Sequence, residues 1–159
     1  MVRISFRIFE AVKFYTMLTN THSGLRWIAL FLLVFAVYNA FTKRKSGEFS
    51  KQDKMVNLFA MVTLHVQLLI GLALYFTSEN ISFESGWMKV EKFRFYGMEH
   101  FAGMLIAIIL VTIGYSKAKR SEDSSKKHKS TFVYYGLGLL LILLFIPWPF
   151  RTALGGAWF

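Results

Sequence analysis

The sequence predicts an all-α fold: an integral membrane, up-down four-helix bundle with an N-terminal interfacial segment. Three observations carry that expectation. Of 159 residues, 55% are hydrophobic and 18% aromatic, above the apolar share of soluble domains. The apolar residues fall into four runs, at about 21–42, 55–77, 93–116 and 130–149, and about 20 residues suffice to cross a hydrocarbon core of about 30 Å as a helix. The net charge of +10 is gathered mostly between those runs instead of covering a surface. Residues 1–159 therefore read as a single membrane domain.

The first 20 residues mix apolar and basic positions, as in MVRISFRIFEAVKFYTML, and lack the apolar core and small-residue cleavage site of a signal peptide. An amphipathic or irregular segment lying in the interface is expected there. Met17 is a second candidate start beside Met1, and either leaves the spans unchanged. The first run is most apolar from Leu25 to Phe41; it is short and extends upstream past Arg26, whose long side chain can snorkel to the interface. The second and third are centred on Met55–Phe76 and Phe95–Tyr115. The fourth runs from Thr131 to Trp148, where Pro147 and Pro149 stop it. A short tail with Arg151, Trp158 and glycines follows. Trp27, Trp87, Trp148 and Trp158 fall near span ends, as interfacial belts do.

Between runs one and two lies KRKSGEFSKQDK, and between runs three and four KAKRSEDSSKKHK. The positive-inside rule puts both loops on the inner side and both termini outside, with Lys89, Lys92 and Arg94 of the remaining loop weakening the asymmetry. Charge of this kind flanks a lipid bilayer, and no nucleic-acid partner is expected. The absence of cysteine excludes disulfides, iron–sulfur clusters, thiolate-ligated haem and a thiol nucleophile. GxSxG, P-loop and HExxH motifs are missing as well, so an electron carrier or complex subunit is expected sooner than a stand-alone enzyme.

Four histidines remain. In an up-down bundle the first and third helices are parallel and diagonal, which puts His22 and His100 at one depth near the outer face. Neighbouring helices pack at about 8–10 Å, so the diagonal of a square bundle is about 11–14 Å, a gap that suits two imidazoles on opposite sides of one haem iron. Gly97, Gly103 and Ala107 on the His100 side, with Ala29 seven residues after His22, are expected to leave room for a macrocycle. Arg26, Arg94, Lys92 and Arg151 are candidate partners for haem propionates. Glu99 is placed to pair with Arg26 or to hydrogen-bond His22.

Simpler readings compete at each position. An interfacial histidine can be a helix cap, the glycines can serve close helix packing, and the arginines can be topology anchors. His65, near the middle of the second run, is the second choice as a partner for His100 and otherwise a structural imidazole; Gln67 falls on nearly the opposite face. His128, in KKHK, is expected in a solvated basic loop. Copper on Met61, Met98 and Met104 with histidine is a lesser expectation, since the methionines show no close spacing.

The motifs THSGLRW, LHVQLLIGLALYF, MEHFAGMLIA, KKHK and PWPFR together resemble a small bacterial four-helix membrane protein of the cytochrome b type, similar to one four-helix half of haem A synthase. The resemblance touches all four spans, about Thr21 to Arg151. It implies haem ligation at His22 and His100, with Glu99 and Arg26 in support. The chain has one such bundle where haem A synthase has two, which argues against that enzyme's activity here. The expectation is one b haem in the bacterial inner membrane, passing single electrons within or beside a respiratory chain, with quinone as a further candidate cofactor and respiratory or periplasmic redox proteins as partners. The alternatives are a non-redox membrane subunit or assembly factor with structural histidines, and a proton-coupled transporter using Glu99, His100 and His65.

Overall fold

A computed structural model describes residues 2–45 and 47–156, with side chains from Phe9 onward except that of residue 11. Trp158, expected in the outer tail, lies outside the described residues. The fold is all-helical, with no strand among the described residues. Its main elements are α1 (Val2–Lys43), α2 (Lys51–Thr77), α3 (Glu91–Arg120) and α4 (Ser124–Phe145). All four are long and apolar enough to cross a membrane; the first three contain the expected runs whole, and α4 contains its run as far as Phe145.

α1 is continuous, so the N-terminal segment enters the first run without a break near residue 21. α2 opens on a capping box: Ser50 Oγ accepts the Asp53 N–H at 3.2 Å, and the Asp53 carboxylate accepts the Ser50 N–H at 2.8 Å. α4 opens on Asp123, whose carboxylate accepts the N–H groups of Ser125 and Lys126. It closes at Phe145, earlier than Trp148. Pro147 and Pro149 offer no N–H to the carbonyls four residues before them, Leu143 and Phe145. Those two oxygens take other donors: the Trp148 indole N–H reaches Leu143 O at 2.8 Å, and His100 takes Phe145 O.

α3 carries an irregularity that its apolar pattern does not announce. Residues Phe95–Glu99 form a π turn, and the His100 N–H bonds Phe95 O, five residues back. An extra residue in one turn slips the phase by about 100°, so residues before the turn do not hold the azimuth that regular spacing assigns them.

α1 packs against α2 and α4, and α3 packs against the same two, which leaves α1 and α3 on opposite sides. Leu33, Ala60, Ala107, Val111 and Tyr135 are fully buried between them. Large apolar side chains point outward, among them Phe31 at 69% and Phe76 at 81% exposure, as the apolar composition of the runs requires. Close approach of α3 and α4 depends on glycine. Phe145 lies in the notch left by Gly103, where a Cβ would overlap its ring, and a Cβ on Gly138 would stand 2.8 Å from Val111 Cγ2.

Both basic loops meet at one end. The Ser125 hydroxyl donates to Arg44 O at 2.7 Å, and the Phe49 N–H to Ser124 Oγ at 3.2 Å. Just inside that end, Asn57 donates to Thr131 Oγ1 and the Tyr135 hydroxyl to Asn57 O, both at 2.8 Å. Asp53 is held by Asn39 and by Lys43 Nζ at 3.0 Å. His128 departs from the expected solvated loop: it is 1% exposed, its ring lies 5.0 Å from that of Phe49, and Nε2–H donates to Glu48 O at 3.3 Å. The cause is the loop joining α1 to α2, which folds over the start of α4.

Replacing Gly103 tests the α3–α4 contact. Gly103→Leu is expected to destabilise the protein by about 1–3 kcal/mol through overpacking, with part of the loss recovered in Gly103→Leu/Phe145→Ala. Thermal unfolding in detergent reads both. A Gly103→Leu protein melting with the parent would show that the notch does not set the packing.

Candidate functional site

The end opposite the basic loops is built around two histidines. His22 lies 21 residues before Lys43 at the basic end of α1, and His100 lies 20 residues before Arg120 at the basic end of α3. Both are therefore about 30 Å of helical rise from the basic end. From opposite sides of the helix group their side chains converge: the ring centres are 6.5 Å apart, with the ring planes at 73°.

Each ring is held differently. His100 Nδ1–H donates to Phe145 O at 2.7 Å, which fixes the ring and leaves Nε2 with its lone pair. Phe95 and Tyr96 flank it, with ring centres at 5.8 and 6.2 Å. His22 lies over Gly71 of α2, where a Cβ would come within 3.3 Å of His22 Cε1. Its carbonyl accepts from Gln67 Nε2 at 3.0 Å. Its buried Nδ1 has no hydrogen-bond partner among the described residues.

A cavity of about 270 Å³ adjoins the pair, near the lower end of the small-molecule range of about 300–1,000 Å³. His22, Arg26, Gln67, Tyr96, His100 and Met104 supply its polar and polarisable wall, and Leu64, Ile108 and Ile142 its apolar floor. At its rim Tyr15 and Ser78 share a hydrogen bond of 3.0 Å between α1 and the end of α2.

The other expected site residues are distributed unevenly. Arg26 lines the cavity, with its guanidinium carbon 5.2 Å from the Trp27 ring centre, and Ala29 lines it too. Glu99 does not meet Arg26 or His22. It pairs with Arg94 Nε at 2.7 Å, one turn back across the π segment, and Arg94 also donates to Met88 O at 3.2 Å. Arg151 lies 3.7 Å from Glu91 and over the Phe95 ring at 4.6 Å. Neither Arg94 nor Arg151 lines the cavity.

The glycines expected to make room beside His100 do something else. Gly97 lies under Trp87 and Phe83, and its carbonyl accepts the Tyr75 hydroxyl at 2.8 Å. Gly103 receives Phe145, and the Ala107 carbonyl lies against Gly138, so both belong to the α3–α4 contact. Room at the site comes from Gly71. That residue was legible only through α2: Gln67 and Gly71 are one turn apart and share a face.

His65 is not an alternative partner for His100. It is exposed on the outer face of α2, where Nδ1–H donates to Met61 O at 2.8 Å. The thioethers do not converge either, since Met98 is exposed while Met104 lines the cavity. Among the described residues no group of three or more histidine or carboxylate side chains is arranged to hold a metal ion. The site thus brings two imidazoles together, with ring centres 6.5 Å apart, beside one cavity.

No protein-family model matches the chain, and no curated protein or solved structure matches it significantly. Its class rests on the structure: an all-helical chain of membrane-spanning composition with a facing histidine pair at one end.

Proposed function

We propose that the four helices cross the bacterial cytoplasmic membrane as an up-down bundle, with basic loops inside and both termini outside, and that His22 and His100 are the axial ligands of a single b-type haem used for one-electron transfer. The spacing of the two rings carries this reading. Metal–nitrogen bonds of about 2 Å on both sides, with about 1 Å from each nitrogen to its ring centre, put two axial imidazoles about 6 Å apart, centre to centre. The observed 6.5 Å fits that separation.

Protonation of His100 supports the reading as well. Ligating histidines donate their second ring N–H to a carbonyl or carboxylate, which fixes the tautomer and raises the basicity of the free nitrogen. Phe145 O serves His100 in that way. Arg26 and Tyr96 line the cavity and would lie nearest the propionates, while Arg94 and Arg151 pair with Glu99 and Glu91 away from it. The free volume is small for a macrocycle. Met104, with three rotatable side-chain bonds, is the wall residue best able to swing aside.

When bound, haem supplies a one-electron couple. His22 and His100 would hold it, and the apolar Leu64, Ile108 and Ile142 would exclude water around it. A quinol or an outer-face redox protein is the fitting exchange partner.

The protein purified in detergent from haem-replete cells should show a low-spin b-type reduced-minus-oxidised spectrum. His22→Ala and His100→Ala should lose it, and His65→Ala should keep it. A colourless parent protein that is folded would replace this reading with that of a non-redox membrane subunit.

Topology has its own check, because the chain is cysteine-free and needs no background substitutions. A membrane-impermeant maleimide applied to intact spheroplasts should label Ser85→Cys and spare Glu122→Cys. The reverse pattern would invert the orientation.

A further inference from the structure

Among the described residues, the buried His22 Nδ1 and Gln67 Oε1 on the cavity wall have no hydrogen-bond partner. Such atoms are costly, and native structures pair nearly all of them. Here the two belong to side chains already tied together, since Gln67 Nε2–H donates to the His22 carbonyl at 3.0 Å. Their chemistry is complementary. An amide oxygen only accepts, and an imidazole Nδ1–H donates.

We propose that Gln67 is the positioning residue of His22, holding the His22 carbonyl with its amide N–H and accepting the imidazole Nδ1–H with its amide oxygen. Closing the second bond takes a turn of the ring about its terminal torsion, which is broad and soft. Gly71, one turn along the same face of α2, leaves the ring space to make it; a Cβ there would stand 3.9 Å from Nδ1 and 3.3 Å from Cε1. In that arrangement Nε2 of His22 is the free nitrogen, as Nε2 of His100 is when Nδ1–H binds Phe145 O. The two rings would then present matching lone pairs, one oriented by a main-chain carbonyl of α4 and the other by a side-chain amide of α2.

This inference rests on the haem reading for its purpose but not for its first measurement. In the full-length, haem-free protein in detergent, nitrogen-15 NMR of labelled histidine should find His22 in the Nδ1–H tautomer. Gln67→Leu should give a tautomer mixture. An unchanged His22 signal in that variant would overturn the proposed bond whether or not haem binds.

With haem, Gln67→Leu should weaken binding by about 10–100-fold, the usual effect of losing a group that orients a ligand. Gln67→Glu separates the two bonds, because a carboxylate accepts from Nδ1–H but cannot donate to the His22 carbonyl. It should restore tight low-spin binding and lower the midpoint potential by making the imidazole more electron-rich. Binding in Gln67→Glu as weak as in Gln67→Leu would make the main-chain bond the operative one and overturn the positioning role. Unchanged haem affinity in Gln67→Leu would overturn it as well. Failure of the haem reading looks different: no form of the protein would bind haem, while the tautomer would still respond to residue 67.

Discussion

The placement of Phe145 governs the half of the molecule away from the basic loops. Its ring fills the notch above Gly103 and brings α3 against α4, while its carbonyl, left without a helical donor where the chain turns out through Pro147 and Pro149, takes Nδ1–H of His100. One residue therefore joins packing to site geometry. A larger residue at 103 would push away both the ring and the carbonyl, and His100 would lose its fixed tautomer. The π turn of Phe95–Glu99 lies immediately before His100 and sets its entry into the same contact. Such turns tend to accompany functional positions, and here the turn supplies a physical service: it re-aims the helix just before the residue whose direction matters.

Hydropathy made the four helices legible, and charge marked the two loops that share an end, because a run of about 20 apolar residues has few other uses. Depth was legible too. His22 and His100 count to the same level from their basic ends, and side-chain reach brings their rings together. Azimuth was not legible. When a helix is apolar all round, composition does not say which face meets a neighbour, so small residues are the main clue, and they serve packing and site alike. Gly97, Gly103 and Ala107 took the packing role, and Gly71 the role at the site. Glu99 was expected to meet Arg26 or His22, but Arg94, across the π turn on its own helix, takes its carboxylate instead. His128 read as solvated because its neighbours are lysines, yet the fold of residues 47–50 covers it.

Polar side chains along the helices follow one economy. Thr77 and Thr112 return their hydroxyl protons to the carbonyls four residues back, at 2.8 and 2.7 Å, and His65 returns Nδ1–H to Met61 O. Groups satisfied on their own helix can face an apolar surround at reduced cost, since hydrocarbon offers no partner of its own. That habit explains how a histidine stands on the outer face of α2. It also separates His65 from His100, whose Nδ1–H crosses to another helix and so ties its ring to the relative position of two elements.

The two ends of the molecule differ in how completely their buried polar groups are paired. At the basic end Asp53, Asn57, Thr131, Tyr135 and His128 all have partners, most of them on a different element, and together they fix the register of α2 against α4 and the loop. At the opposite end His22 Nδ1 and Gln67 Oε1 have no partner among the described residues and lie beside a cavity. A network that is fully satisfied specifies structure; one with unspent donors and acceptors in an enclosed space favours whatever completes it. The cluster at the basic end therefore accounts for itself as a lock between helices. The cluster at the opposite end does not: two imidazoles with ring centres 6.5 Å apart, one bound to a main-chain carbonyl and one with Nδ1 unpaired among the described residues, border an open cavity. That difference sets His128, held within a satisfied network, apart from the His22–His100 pair.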